Sequence, residues 1–350
     1  MVARCSHHPA LKARHGALHA LGPVLVTGAG GFIGGRLCER LVLEGVRVRA
    51  LVRSTDQAAR LAARGVEPVR GDLTRPDDLP PAVRGCGVIF HCGAWMGEPW
   101  TWEAARAANV EGTRSLLDAS LRAGASRFVH VSSISVYGPT AADPIDEQTP
   151  LWPLGPYRAT KIGAEQEVVS AHGRGLPTVI LRPGQVFGPG DVRLSGLVLR
   201  WLRRGLPLVV EGGRGFCYPI YIDNLVDALL ASATTADAVG GIFNLADADV
   251  PWGEFLGSYA RMAGRRMRSM PAWVVRGATL GMETVGILTG RPARGHRADM
   301  GYFLRRSRYS TARASAVLGW HPRVPLAEAI TATAAWLQQA GLLDRRNISV

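Results

Sequence analysis

Between an apolar, β-branched run, Val24-Leu25-Val26, and a stretch of helical period lies Thr27-Gly28-Ala29-Gly30-Gly31-Phe32-Ile33-Gly34. Few architectures accommodate so glycine-rich a segment at this place. Glycine lets the chain turn sharply after a strand, lets backbone N–H groups come close to an anion, and lets a helix start hard against a sheet. A helix N-terminus adds unpaired N–H groups and the positive end of the peptide dipole, so the loop suits a pyrophosphate. A structural turn would read the same in isolation. Further strand–helix units downstream favour the dinucleotide-binding reading.

Those units are legible. Short apolar runs predict strands at 24–26, 46–52, 66–69, 88–90, 128–131 and 178–181, with helices at 56–64, 78–83, 104–123 and 157–171 between them. The alternation predicts an α/β protein with a doubly wound parallel sheet, the Rossmann arrangement. After Pro183 the rhythm loosens into a helix to Arg204, strands near 208–210 and 220–222, an apolar helix after Met270 and an amphipathic helix from Leu326 to Gln339. Residues 23–186 are therefore assigned mainly to dinucleotide binding. Residues 187–345 are assigned mainly to a smaller C-terminal substrate-capping region, some of whose segments return to the core. Residues 1–22 lack acids and a continuous apolar core, and are read as a flexible leader, with a mis-set start or a transit peptide as the other readings.

Composition narrows the partners. The net charge of +13 comes from arginines scattered through the whole chain without a recognition motif, which excludes nucleic acid as the expected partner and leaves attraction for anionic ligands. Cys5, Cys38, Cys86, Cys92 and Cys217 show neither a metal-binding spacing nor a disulfide framework, so no metal is expected and the cytoplasm is the expected location. The apolar segment from Met270 to Leu288 carries Arg276 and Glu283, so no membrane span is predicted and peripheral contact is left open.

The end of the second strand chooses between nicotinamide cofactors, because an acid there pairs with ribose hydroxyls whereas an arginine accepts a 2′-phosphate. Arg53 stands at that place and favours NADP over NAD. Asp72 and Leu73 after the third strand are candidates for the adenine edge, and Gly93 and Ala94 after the fourth for close passage of the ribose. All four could equally be ordinary strand-end residues.

Tyr157 and Lys161 open the helix after a proline-rich stretch, four residues apart and so on one face. Only two of the 41 basic residues are lysines, which suggests that a compact ammonium is needed here where a planar guanidinium would not serve. A tyrosine with a pKa of about 10 exchanges protons easily near neutrality only if neighbouring positive charge favours the phenolate. Ser132, Ser133 and Ser135 end the fifth strand, where a hydroxyl can polarise a substrate oxygen or cap local backbone. His91 and His130 are read as satisfied structural histidines, and Asp146 and Glu147 as solvated loop acids.

In their order and on these elements, TGAGGFIG, SSISVYG and YRATK resemble the extended short-chain dehydrogenase/reductase family, that of NAD-dependent epimerases and dehydratases, from about Val24 to Leu326. The resemblance implies that Tyr157 is the general acid/base, that Lys161 binds the nicotinamide ribose and lowers the tyrosine pKa, and that Ser133 orients the substrate oxygen. It implies further that Gly28, Gly31, Phe32, Ile33 and Gly34 hold the phosphates, that Asn109 is the family's helix asparagine, that Pro183 touches the cofactor, and that the protein is a homodimer. The C-terminal pattern, with Tyr309-Ser310-Thr311-Ala312-Arg313 and Leu318-Gly319-Trp320-His321-Pro322, is closest to the 3β-hydroxysteroid dehydrogenase-like branch. Arg214-Gly215-Phe216-Cys217-Tyr218-Pro219 replaces the Arg-Asp pair of sugar-nucleotide members. The expected function is hydride transfer between nicotinamide and a secondary alcohol or ketone of a hydrophobic substrate, sterol-like or 3-oxo acyl. A nucleotide-sugar epimerase or dehydratase with tightly held NAD and a non-catalytic NADP-binding sensor or scaffold are the alternatives.

Overall fold

The computed structural model describes residues 22–95, 101–153, 155–289 and 302–343. The expected leader, apart from its last residue, lies outside the described residues. Seven strands form the central sheet: β1 (Val24–Thr27), β2 (Val48–Val52), β3 (Glu67–Arg70), β4 (Val88–His91), β5 (Arg127–Val131), β6 (Thr178–Pro183) and β7 (Ile242–Leu245). Their spatial order is β3-β2-β1-β4-β5-β6-β7, and every neighbouring pair is parallel. The chain leaves β1 towards one edge and returns to β4 on the other side. That reversal opens a crevice beyond the carboxyl ends of β1 and β4.

The helices are α1 (Phe32–Leu43), α2 (Thr55–Ala62), α3 (Leu79–Val83), α4 (Gly112–Arg122), α5 (Pro156–Gly173), α6 (Leu194–Arg203), α7 (Ile222–Thr234), α8 (Trp252–Met262), α9 (Ala272–Thr289), α10 (Ala312–Leu318) and α11 (Leu326–Gln339). Alternate strand residues divide between two cores. Val26, Phe90, Val129 and Leu181 pack with residues of α1, α7 and α10, while Leu25, Ile89, Phe128 and Ile180 pack with residues of α3, α4 and α5. Because both faces are covered, the strands read as continuous apolar runs.

Two core elements escape the sequence reading. The predicted strand at 220–222 gives way at Ile222 to α7, and β7 follows as the seventh strand. Helix α7 is buried on nearly every side, and its polar edge is narrow, held by Asp223 and Asp227. Strand β7 is four residues long and carries the polar Asn244, whose side chain accepts a hydrogen bond of 2.7 Å from Tyr137. The predicted helix 104–123 is also interrupted: Trp102–Arg106 and α4 are joined by the π-helical turn Ala107–Glu111.

The capping part has its own core, in which Phe187, Leu199, Trp252, Phe255 and Tyr259 meet. It is latched to the sheet region at Asn224. That side chain donates to the Val324 carbonyl at 3.0 Å and accepts from the Arg323 and Val324 amides, while the Trp320 indole donates to its backbone oxygen at 2.8 Å.

Candidate active site

A cleft of about 1180 Å³ runs along the carboxyl edge of the sheet between the two parts of the chain. Its middle is the glycine loop. Gly28 has φ +69°, and a Cβ there would lie 2.7 Å from the Gly93 nitrogen; a Cβ on Gly34 would lie 2.4 Å from the Gly28 oxygen. The loops after β1 and β4 thus touch backbone to backbone, and α1 begins directly against the turn. Helix α1 has no side-chain cap and no acid in its first turn. Its first N–H groups at Phe32, Ile33 and Gly34 therefore have no partner within the helix, and all three residues line the cleft, as does Gly31. This donor set fits a pyrophosphate.

At one end the cleft is lined by Arg53, Gln57, Asp72, Leu73, Gly93 and Ala94. The exposed Arg53 guanidinium lies 5.9 Å from the centroid of the Trp95 ring and has no ion pair among the described residues. Two other cations here are already engaged, Arg36 with Asp223 at 2.6 Å and Arg64 with Glu39 at 2.8 Å. Asp72 spends one carboxylate oxygen on the amide and hydroxyl of Thr74. Gln57 was not nominated by the sequence.

At the other end α5 brings Tyr157 and Lys161 to the cleft wall beside Val131 and Ser132 at the end of β5. The buried Lys161 ammonium donates to the Val131 carbonyl at 2.7 Å, which leaves two of its three N–H donors for a ligand. Burial pulls its pKa down to about 8, against the opposing pull of Glu165 and Cys92. The Tyr157 phenol is raised above its ordinary value, by burial first, with the Arg193 charge and a hydrogen bond from Ser133 pulling the other way. The cation acting on the phenol is thus Arg193 of the capping part. Sequence could not single it out, because in a chain so rich in arginine one more carries no signal.

The serines separate by their partners. The Ser132 hydroxyl donates to Glu165. Ser133 accepts from the Ser135 amide at 3.1 Å, which leaves its hydrogen for the Tyr157 oxygen. The Ser135 hydroxyl is buried and has no hydrogen-bond partner among the described residues. Glu165 also holds Arg182 through two bonds of 3.0 and 2.6 Å, and Arg182 donates to the Tyr137 hydroxyl at 2.7 Å, so a buried ion pair braces the back of the site.

Asn109, in the π turn, accepts from the Trp95 amide and donates to Thr160 at 3.2 Å, tying the loop after β4 to α5. Pro183 is buried in β6 against Leu245 and does not line the cleft; Gln185 and Val186 do. His91 is satisfied by Thr27 at 2.7 Å and Thr113 at 2.9 Å, and burial lowers its pKa to about 3. His130 departs from expectation, since both its ring nitrogens are buried without hydrogen-bond partners among the described residues. It faces His91 across adjacent strands with ring centroids 5.2 Å apart, in a layer filled by apolar side chains. Asp146 and Glu147 are not merely solvated: Asp146 caps the turn to Thr149, and Glu147 accepts from the Asn244 amide at 2.8 Å.

The seven-stranded parallel sheet and the glycine turn between β1 and α1 are those of a dinucleotide-binding α/β protein of the short-chain dehydrogenase/reductase type. The chain matches the NAD dependent epimerase/dehydratase family over residues 24–246 and belongs to it. It is 34% identical over 229 residues to the 4-hydroxy-2-methyl-3-oxo-4-farnesyl-3,4-dihydroquinoline-1-oxide ketoreductase of Stigmatella aurantiaca, covering 63% of this chain and 67% of that one. It is 37% identical over 207 residues to the 2-alkyl-3-oxoalkanoate reductase of Stenotrophomonas maltophilia, covering 57% and 62%. The likeness to the 3β-hydroxysteroid dehydrogenase-like branch is carried by the enzyme of Mycolicibacterium neoaurum, 33% identical over 225 residues and 61% of each chain. These matches thus span roughly two thirds of the relatives' lengths or less. Among solved structures, that of gox2253 superposes with a TM-score of 0.79 at 28% identity, over 92% of this chain and 99% of that one.

Proposed function

We propose that the protein transfers a hydride reversibly between NADP and a secondary alcohol or ketone on a hydrophobic small molecule. The observation that carries this reading is the set formed by the Ser133–Tyr157 hydrogen bond and the Lys161 ammonium, fixed on the Val131 carbonyl beside the glycine loop. When bound, the reduced nicotinamide supplies the hydride that a carbonyl carbon accepts. Tyr157, held neutral by burial, donates its proton to the carbonyl oxygen, and Ser133 orients that oxygen. Lys161 uses its two remaining donors on ribose hydroxyls. Phe32, Ile33 and Gly34 hold the phosphates with their backbone N–H groups.

Arg53 supports NADP over NAD, because β2 ends in a cation without a described ion pair. Val192, Leu194, Leu197 and Trp336 line the cleft and supply an apolar wall for the substrate. The curated relatives named as a ketoreductase and an oxoalkanoate reductase point to ketones, including 3-oxo acyl compounds. A sterol-like substrate is supported by the 3β-hydroxysteroid dehydrogenase relative. Among the described residues no helix is long and apolar enough to cross a membrane. All four described cysteines are free, which supports a reducing, cytoplasmic setting. We further infer a homodimer across the outer faces of α4 and α5, where Val169 is 56% exposed; light scattering in solution tests it.

The decisive experiment follows NADPH and NADH consumption with a panel of apolar ketones. Net oxidation of NADPH is expected, and product formation without net cofactor change would make the protein an epimerase or dehydratase. Tyr157→Phe should lower kcat by about 100-fold or more with cofactor affinity retained. Unchanged turnover in that variant would refute the catalytic assignment. Arg53→Ser should reduce the preference for NADPH about tenfold, through loss of a charge-assisted contact; an unchanged preference would remove Arg53 from the cofactor site.

A further inference from the structure

We infer that the mouth of the cleft docks on an anionic lipid surface through the outer face of α6. Between Asp191 and Glu211 the chain carries four arginines and no acid. In α6 the residues Ser195, Val198, Leu199 and Leu202 are buried in the capping core, so the opposite face is turned to solvent. That face presents Leu197, Arg200, Trp201 and, at the C-cap, Arg204, at the i, i+3, i+4 and i+7 spacing of a single helical stripe. A solvated helix face needs no Leu or Trp. Here Leu197 is 46% and Trp201 40% exposed, flanked by Val192 at 69% and Leu206 at 40%.

Position gives the stripe its meaning. Val192, Arg193 and Leu197 also line the cleft, so the apolar and cationic surface is continuous with the entrance. Beyond α6, strand Val209–Val210 pairs with Ser269–Met270, and α9 begins there with Trp273, 75% exposed. Arg268, bonded to the Gly205 carbonyl at 3.2 Å, adds a further cation beside Leu206. Arginines complement the helix dipole at Arg200 and Arg203, but the dipole gives no reason for the exposed Leu197 and Trp201. Aromatic and aliphatic side chains interleaved with arginine are what an interfacial helix uses, the apolar groups entering the headgroup boundary and the cations meeting anionic lipid. A bilayer accounts for the aliphatic residues, which a nucleic-acid strand would leave unused, and it places an apolar substrate at the cleft mouth.

The inference goes beyond the proposed reaction and is tested without turnover. The full-length protein is sedimented with vesicles of phosphatidylcholine alone or mixed with phosphatidylglycerol, across a range of salt. Binding is expected to the anionic vesicles only, to weaken with salt, and to bring a blue shift of tryptophan fluorescence. Arg200→Gln with Arg204→Gln should weaken partition about 30-fold, and Trp201→Ser about tenfold. None of these three side chains lines the cleft, so both variants should retain the melting temperature and the turnover of a water-soluble ketone. The inference is overturned if the protein stays in the supernatant at physiological salt, or if Trp201→Ser partitions like the parent. Tighter binding to an oligonucleotide than to the vesicles would also overturn it, as would a solution dimer that Trp201→Ser dissociates.

Discussion

Lys161 shows how much one side chain carries. Its ammonium is buried, bonded to the Val131 carbonyl and held at a pKa of about 8 instead of 10.5. Below about 8 both folded and unfolded chains bear the proton, and the folded state bears the full penalty of burying it. Between that value and 10.5 only the unfolded chain is protonated, so this group's contribution to stability rises with pH across the window. Lys161→Met should therefore stabilise the protein at neutral pH, by about 2 kcal/mol after allowing for the lost carbonyl bond, while turnover collapses. Thermal unfolding at neutral pH and above 10.5 checks this; a variant less stable than the parent at neutrality would contradict it. The scarcity of lysine made this residue legible in the sequence. Arg193 was illegible because its role comes from its place beside Tyr157, and composition hides a place.

At the scale of elements, the β1–α1 junction is a steric device. A methyl group on Gly34 would meet the Gly28 oxygen at 2.4 Å, backbone against backbone, whereas one on Gly35 would meet the Ala29 oxygen at 3.2 Å. Gly34→Ala should push α1 off the turn, weaken NADP binding more than tenfold and destabilise by about 2 kcal/mol. Gly35→Ala should be much milder, and equal effects in titration and melting would sink the assignment. This junction was readable because glycines at fixed spacing leave few conformational alternatives. Helix α7 and strand β7 were not, since a helix buried on nearly every side shows only a narrow polar edge and a four-residue strand gives little period. Spacing alone left Ser132, Ser133 and Ser135 open, and the family resemblance pointed to Ser133, the one whose hydroxyl meets Tyr157.

At the scale of the whole molecule, chain path makes the sheet core and the second core around Phe187, Trp252 and Phe255 inseparable. After the first capping segment the chain returns to form α7 and β7, and later again to place α10 and Trp320 in the sheet core. Asn224 fastens that last return with three side-chain hydrogen bonds. One cooperative unfolding transition is expected. Asn224→Ala should lower stability by about 3 kcal/mol through these buried bonds and move near- and far-ultraviolet dichroism together; a cap that melts first would show two independent domains. The sequence by itself determined the doubly wound sheet, the phosphate loop and the tyrosine–lysine pair, because local period, glycine spacing and an i, i+4 register are properties of adjacent residues. Tertiary structure alone decided the seventh strand, the arginine that faces Tyr157 and the apolar wall of the cleft. Each of these depends on which distant segments meet, and the covalent order of the chain carries no local mark of that.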